Sequence, residues 1–388
     1  MKVAFFSNYL SPHQIPFSDA MYKILGEDYK FISCEPYSEE RKKLGWNSEN
    51  KKKYEIQAYE SEIEYKKAKK IVLDCDVMIV GSAKWEFVKL RIDSKKILFR
   101  YSERLLKQGL IEAIKSLDIF RFIKMNIRTR SKNVYFLSAS VYAPFDYELT
   151  FGKFKKSYKW GYYPKTIKYD LYNLMKLKES NNKIKILWAG RLIPWKHPEV
   201  AILLMENLIK TEDNIELNII GNGSLEDRLT EMIKRKNLTK YVHILGAMSP
   251  EKVRSYMEET NIFLFSSDYN EGWGAVLNEA MNSACAVVCC NSIGSSGYLI
   301  ENEINGYIYN LGDTDTLVQI VKKLIKDRIL RNKIGENAYK TITELWSSEI
   351  AAERFLELCN NLLNGGKLIE YTNGPLSEAK KIKPRKIW

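Results

Sequence analysis

The sequence predicts an α/β protein made of two Rossmann-like, doubly wound domains facing each other across a cleft. Three observations predict it. Short apolar runs alternate with longer helical patterns along the chain, the order that parallel sheets require. The length of 388 residues suits two or three domains. The polar stretch KLKESNNKIK, residues 176–185, precedes a fresh strand and reads as the linker.

In chain order, the apolar runs place strands at 3–7, 29–33, 77–80, 97–99, 134–138, 184–189, 216–220, 242–245, 262–265 and 286–290. Helical periodicity places helices near 16–25, 198–210, 224–236, 250–259, 275–283, 314–325, 328–339 and 348–363. The expected domains are 1–175 and 183–345. Residues 346–370 read as a C-terminal helix packing back toward the first domain, and 371–388 as a loose basic tail.

Composition excludes several classes. Hydrophobic residues at 45% and charged residues at 28% rule out wholesale disorder and collagen-like repeats. No stretch approaches ~18 consecutive apolar residues, so no membrane-spanning helix is expected. The opening MKVAFFSNYLSPHQ reads as a strand entering a loop, without a signal-peptide core. Six cysteines, at 34, 75, 285, 289, 290 and 359, form no CxxC pair and sit mostly in apolar runs. They read as reduced, packed thiols, and the expected location is the cytoplasm.

The formal charge of +13 is lopsided. Residues 1–180 hold 35 Lys/Arg against 22 Asp/Glu, whereas 181–388 hold 26 of each. The first half therefore has either a polyanionic or membrane-surface partner, or a plain solvated basic surface. Nucleic acid is not the expected partner, because the basic half shows no helix-turn-helix, zinc-finger or RNP-type motif. Between 101 and 130, Leu105, Leu106, Leu110, Ile111, Ile114, Leu117, Phe120, Ile123 and Ile127 recur at helical spacing. Arg104, Lys107, Lys115, Arg121, Lys124, Arg128 and Arg130 lie between them. Such a basic amphipathic helix either lies among anionic headgroups or packs its apolar stripe on its own domain.

The second half carries the chemistry. After the strand at 184–189 comes Gly190-Arg191-Leu192-Ile193-Pro194-Trp195-Lys196-His197. An Arg and a Lys just past a strand end suit a clamp on a diphosphate, the guanidinium forking and the ammonium acting as a point charge. The strand ELNII runs into Gly221-Asn222-Gly223-Ser224, a turn that lets backbone approach a ligand ahead of a helix. The strand IFLFSSD leads to Tyr269-Asn270-Glu271-Gly272-Trp273-Gly274-Ala275-Val276-Leu277-Asn278-Glu279. Its two glutamates have seven residues between them, one standing in the loop and one in the following helix. A carboxylate is a natural bidentate acceptor for vicinal hydroxyls, and Gly272 and Gly274 expose backbone N–H groups beside it.

The order and spacing of GRLIPWKH, GNGSLEDRL, HILGAM, SSDYNEGWGAVLNEAM and NEINGYIY resemble the family-four retaining glycosyltransferases of the GT-B fold (glycosyl transferases group 1) over 184–345. The resemblance implies that Arg191 and Lys196 bind the donor diphosphate and stabilise the leaving group. It implies that Glu271 binds hydroxyls of the transferred sugar beside the backbone of Gly272, Trp273, Gly274, Ala275 and Val276. Glu279 would hold the ribose, Ala247 and Met248 would meet the base, and Gly190, Gly221 and Gly223 would flank the nucleotide. The donor would be a nucleotide sugar, UDP- or GDP-linked, with no metal and no other cofactor. Retention would follow a front-face route in which the leaving phosphate oxygen takes the acceptor proton, so no protein nucleophile is needed.

The first half departs from that family, with Ser7-Asn8-Tyr9-Leu10-Ser11-Pro12-His13 in place of a Gly-rich loop. His13 either takes a catalytic donor contact or caps the loop, and Glu103 reads as either an acceptor-cleft base or, in preference, a helix-start acid. In the second half, Ser295-Ser296-Gly297 stands where many relatives carry Gly-x-x-Glu. The triplets Asp74-Cys75-Asp76 and Asp313-Thr314-Asp315 read as structural, the second as a helix cap. With His only at 13, 197 and 243, no metal site is expected. The first domain is then the acceptor side, for a lipid-linked or oligosaccharide acceptor of a capsule or lipopolysaccharide type. The work is expected at the cytoplasmic face of the plasma membrane, with peripheral contact to anionic lipid. The alternatives are a soluble sugar or glucan transferase and a non-catalytic nucleotide-sugar or polyanion-binding protein.

Overall fold

The computed structural model describes residues 1–39, 51–130, 132–180, 182–366 and 369–385. The chain divides into two units, Met1–Lys165 with Trp346–Trp388, and Thr166–Leu345. The division falls ahead of the expected linker. Residues 176–179 are not a tether but the last turn of the helix Leu171–Glu179, which belongs to the second unit.

The first unit is a seven-stranded sheet in the order β3-β2-β1-β4-β5-β6-β7, parallel throughout. The strands are β1 (Val3–Ser7), β2 (Tyr29–Ser33), β3 (Glu55–Gln57), β4 (Val77–Val80), β5 (Ile97–Ser102), β6 (Val134–Ser138) and β7 (Ser157–Lys159). Burial on both faces explains their near-continuous apolar sequences. The helix Ser348–Leu363 lies in this unit and packs on Ile15–Leu25. Its Phe355 meets Phe17, Phe99 and Trp160 at centroid distances of 6.3, 5.0 and 5.9 Å. The segment after it is not a loose tail along its whole length. Leu376, Ser377 and Ala379 are buried and exchange backbone bonds with β7, which covers that sheet edge.

The second unit is a six-stranded parallel sheet, β10-β9-β8-β11-β12-β13. Its strands are β8 (Ile184–Ala189), β9 (Ile215–Ile220), β10 (Val242–Ile244), β11 (Ile262–Phe265), β12 (Ala286–Cys290) and β13 (Tyr307–Tyr309). This is the doubly wound order in which the first strand is central and the crossovers reverse direction beside it.

Two expectations fail in the first unit. The single amphipathic helix over 101–130 is two, Leu110–Lys115 and Asp118–Thr129, broken at Leu117 with φ 61°. Its Arg104 faces no solvent: it is buried against Asp146 with two bonds of 3.1 Å, and Asp146 also accepts from Leu106 N at 3.0 Å. Glu103 starts no helix, because the chain runs on irregularly to Leu110, and its carboxylate pairs with Lys107.

The two acidic triplets have structural roles. Asp313 caps the helix Thr314–Lys326 by accepting from Thr316 N. The carbonyls of Cys75 and Asp76 accept from the fully buried Arg91, at 2.8 and 2.6 Å. Arg91 also donates to Val72 O and Ile97 O, so one guanidinium joins a helix end to the starts of β4 and β5. Burial holds its pKa below the usual arginine value. Arg91→Met should cost about 3 kcal/mol in urea unfolding, because several buried carbonyls lose their donor. Lys at this position, with one nitrogen in place of three, should recover little of that loss.

Candidate functional site

In the second unit, β8 and β11 are neighbours in the sheet but far apart in the chain. The crossover from β8 leads to β9 on one side, and the one from β11 leads to β12 on the other. The loops leaving their carboxyl ends therefore part, and an open α/β sheet binds its ligands in the crevice between such loops. Arg191 and Lys196 stand on the first loop, Glu271 on the second.

The loop after β8 is shaped by Pro194, which opens the 3-10 turn Pro194–Lys196, and by His197 in the left-handed region at φ 51°. Trp195 lies under both clamp cations, Lys196 Nζ at 4.7 Å and the Arg191 guanidinium at 5.7 Å from its ring centroid. Such cation–π contacts position the two side chains without neutralising them. The Lys196 ammonium bonds Glu271 Oε2, and Ser267 Oγ donates to the same oxygen at 3.0 Å. Glu271 is buried, and no described residue bonds its other carboxylate oxygen.

Further bonds tie the two loops together. Ser266 Oγ accepts the Trp188 indole N–H at 2.9 Å and lies 3.0 and 2.8 Å from the carbonyls of Lys196 and His197. Asp268 N donates to Trp195 O at 2.9 Å. The His197 ring stands between Glu199 Oε1 at 2.8 Å and Asp268 Oδ2 at 3.4 Å. The bonds to Asp268 and Glu199 raise its pKa from 6.5 to about 9, so the imidazole is charged at neutral pH. Burial pushes Asp268 and Glu199 up, but the bond to His197, the backbone N–H bonds and the His197 charge together outweigh it, and both carboxyls sit below their ordinary values.

The glycines are set first by packing. A Cβ on Gly221 would stand 1.8 Å from Gly190 O, and one on Gly223 2.4 Å from Leu192 O. The loop after β9 thus lies backbone against backbone on the clamp loop, with Leu192 N donating to Asn222 O at 2.8 Å. Gly274, at φ 84°, has the Phe265 ring where a Cβ would be. Ala247 and Met248 follow β10, and their loop is joined to the next by Gly221 N donating to Gly246 O.

Trp273 offers only backbone here. Its ring is fully buried and its indole N–H donates to Asn278 Oδ1 at 2.9 Å. The N–H groups of Gly272, Gly274, Ala275 and Val276 meet no backbone carbonyl among the described residues. Glu279 stands half-buried in the helix Val276–Asn282. Desolvation pushes its carboxyl above the ordinary value, against the opposing pull of Arg254 at 3.9 Å.

The structure thus brings Gly190, Arg191, Lys196, Gly221, Gly223 and Glu271 together on one sheet edge. His13 belongs to the first unit, where its ring stacks on Tyr162 at 5.8 Å and its carbonyl accepts from Tyr163 N. Sequence reasoning missed Trp195, His197, Ser266 and Asp268. The signal was available in the adjacency of His197 to Lys196 and of Asp268 to Glu271.

Residues 173–341 match the family of glycosyl transferases group 1. A poly(ribitol-phosphate) α-N-acetylglucosaminyltransferase of Staphylococcus aureus is 28% identical over 173 residues, 44% of this chain and 34% of that protein. An N-acetylgalactosamine-N,N'-diacetylbacillosaminyl-diphospho-undecaprenol 4-α-N-acetylgalactosaminyltransferase of Campylobacter jejuni is 32% identical over 157 residues, 40% and 41% of the two chains. This chain spans less than half the length of these curated relatives. The crystal structure of Anabaena HepE in complex with UDP superposes with a TM-score of 0.68 at 15% identity, over 93% of this chain and all of that one. That likeness shows the fold, GT-B, with its two Rossmann-like sheets. The part of the chain that is similar to the glycosyl transferases group 1 family is thus residues 173–341, which contain the β8–β11 switch point and both of its loops.

Proposed function

We propose that this chain is a retaining glycosyltransferase that moves a sugar from a nucleotide sugar to a lipid-linked glycan acceptor during cell-surface polysaccharide synthesis. The observation that carries the reading is the Lys196–Glu271 contact across the switch point, beside Arg191. In this reading Arg191 and Lys196 meet the charge that develops on the leaving diphosphate, with the N–H groups of Gly272, Gly274, Ala275 and Val276 nearby. Preorganised donors of this kind act where water is excluded and need no reorganisation during the reaction. The unused oxygen of Glu271 accepts hydroxyls of the transferred sugar, and Glu279 accepts those of the ribose. Ala247 and Met248 flank the base.

UDP is the donor nucleotide the reading favours, since HepE is described in complex with UDP. The acceptor class is supported by relatives named for poly(ribitol-phosphate) and diphospho-undecaprenol substrates. Charge stabilisation is assigned to these side chains, so transfer should be insensitive to chelators. His13 is the first-unit residue offered to the donor, and the setting is the cytoplasmic face of an anionic membrane.

Transfer from UDP- or GDP-linked sugars to a polyprenyl-diphosphate glycan tests the reading. Glu271→Gln, which keeps the shape and removes the charge, should lower kcat/KM by about 100-fold or more. Undiminished transfer would remove Glu271 from the site. Glu279→Gln should mainly raise the donor KM. Because the Glu279 carboxyl is raised, donor affinity should fall on acidification sooner than an ordinary glutamate would dictate, and the variant should lose that dependence.

His197 gives a second pH dependence. Its pKa is higher folded than unfolded, so the stabilisation is fully present below 6.5 and is lost as pH rises through about 9. Activity and melting temperature should share an alkaline limb near that value. His197→Gln should flatten it and cost on the order of 1–2 kcal/mol, given the partial exposure of the ring.

A further inference from the structure

One surface of the first unit has no part in that chemistry. The helices Leu110–Lys115 and Asp118–Thr129 are seated on the domain by Leu106, Ala113 and Ile119, with Leu105, Leu110 and Ile123 packed around them. Asn126 anchors the second helix by donating to Thr150 Oγ1 at 2.7 Å and accepting from Arg100. Beyond this seat the apolar stripe continues outward. Ile111, Ile114, Leu117, Phe120 and Ile127 are each between 48% and 65% exposed. Leu117 sits at the turn between the helices in the left-handed conformation, rare for a leucine, with its side chain in solvent.

The charges are placed with the same regularity. At about 100° per residue, Phe120 and Ile127 fall nearly in line on the outer face, and Lys124, Arg128 and Arg121 follow beside them. Arg128 stacks on Trp85 and Lys115 pairs with Glu112. Arg121, Lys124 and Arg130 are exposed and make no ion pair with any described residue. Scattered exposed leucines are normal for a soluble surface, but a cluster within 17 positions flanked by unpaired cations is not.

We propose that this helix pair docks the chain on an anionic lipid surface. Leu117 and Phe120 enter the acyl boundary, while Arg121, Lys124 and Arg130 lie at headgroup depth. The occupant follows from the charge pattern. The cations border the apolar ridge, and long basic side chains carry their charge outward from an apolar seat to phosphates. The excess of Lys/Arg in residues 1–180 has the sign that anionic lipid attracts. The proposal deepens the lipid-linked-acceptor reading and rests on it for its purpose, but lipid binding itself needs no donor.

The test is co-sedimentation of the full chain with phosphatidylcholine vesicles, with and without phosphatidylglycerol, at low and high salt. Binding should require phosphatidylglycerol and weaken with salt. The triple variant Arg121→Gln, Lys124→Gln, Arg130→Gln should bind on the order of 100-fold more weakly, at about one residue-sized contribution per cation. The double variant Leu117→Gln, Phe120→Gln should lose at least ~10-fold. Both should keep the wild-type melting temperature and the transfer rate to a water-soluble acceptor. Absence of binding to anionic vesicles, or variants that bind as wild type does, overturns the proposal. So does a dimer that the double variant dissociates without changing vesicle binding, since the ridge would then be an interface between copies. Transfer to a soluble acceptor without vesicle binding sinks this proposal alone, whereas vesicle binding without any transfer sinks the catalytic reading alone.

Discussion

A parallel sheet wound in both directions must contain two neighbouring strands whose following loops separate, and in the second unit those strands are β8 and β11. The chain spends this geometric consequence on one contact, the Lys196 ammonium against the Glu271 carboxylate. A buried ion pair adds little net stability by itself, while loss of one partner strands the other. Its surroundings therefore matter more than its Coulomb energy. Ser266, Asp268 and the charged His197 stitch the two loops together, so the cation and the carboxylate are held by backbone and by hydrogen bonds. In the proposed reading this arrangement is preorganised for a ligand carrying both a diphosphate and hydroxyl groups.

The same constraint accounts for the glycines. Gly221 and Gly223 read in the sequence as a cradle for a ligand, yet the atoms a side chain would strike are Gly190 O and Leu192 O. These residues let the loop after β9 press on the clamp loop and so set where Arg191 and Lys196 begin. A ligand contact at this turn comes on top of that packing role.

Most of the fold was legible because buried parallel strands must be apolar runs. β1, β2, β4, β6, β8, β11 and β12 appear where the runs stood. β3, β7 and β13 were missed because each is three residues long at a sheet edge, where pairing partners rather than composition decide. The 101–130 segment was misread for a different reason. Periodicity sees spacing but not the break at Leu117, nor the buried carboxylate of Asp146 that takes Arg104 out of the pattern. The placement of Arg191, Lys196 and Glu271 on the loops after β8 and β11 was legible from motif spacing. The His197–Asp268 bond was not, because it joins residues 71 positions apart that only the β8–β11 pairing makes neighbours.

The central claim is that the carboxyl edge at β8 and β11 is a nucleotide-sugar donor site. The most direct measurement is a crystal structure of this chain with UDP bound. The account predicts the diphosphate within hydrogen-bonding distance of Arg191 and Lys196, and the ribose hydroxyls on Glu279. UDP bound elsewhere with these side chains untouched, or no UDP bound at saturating concentration, would contradict it.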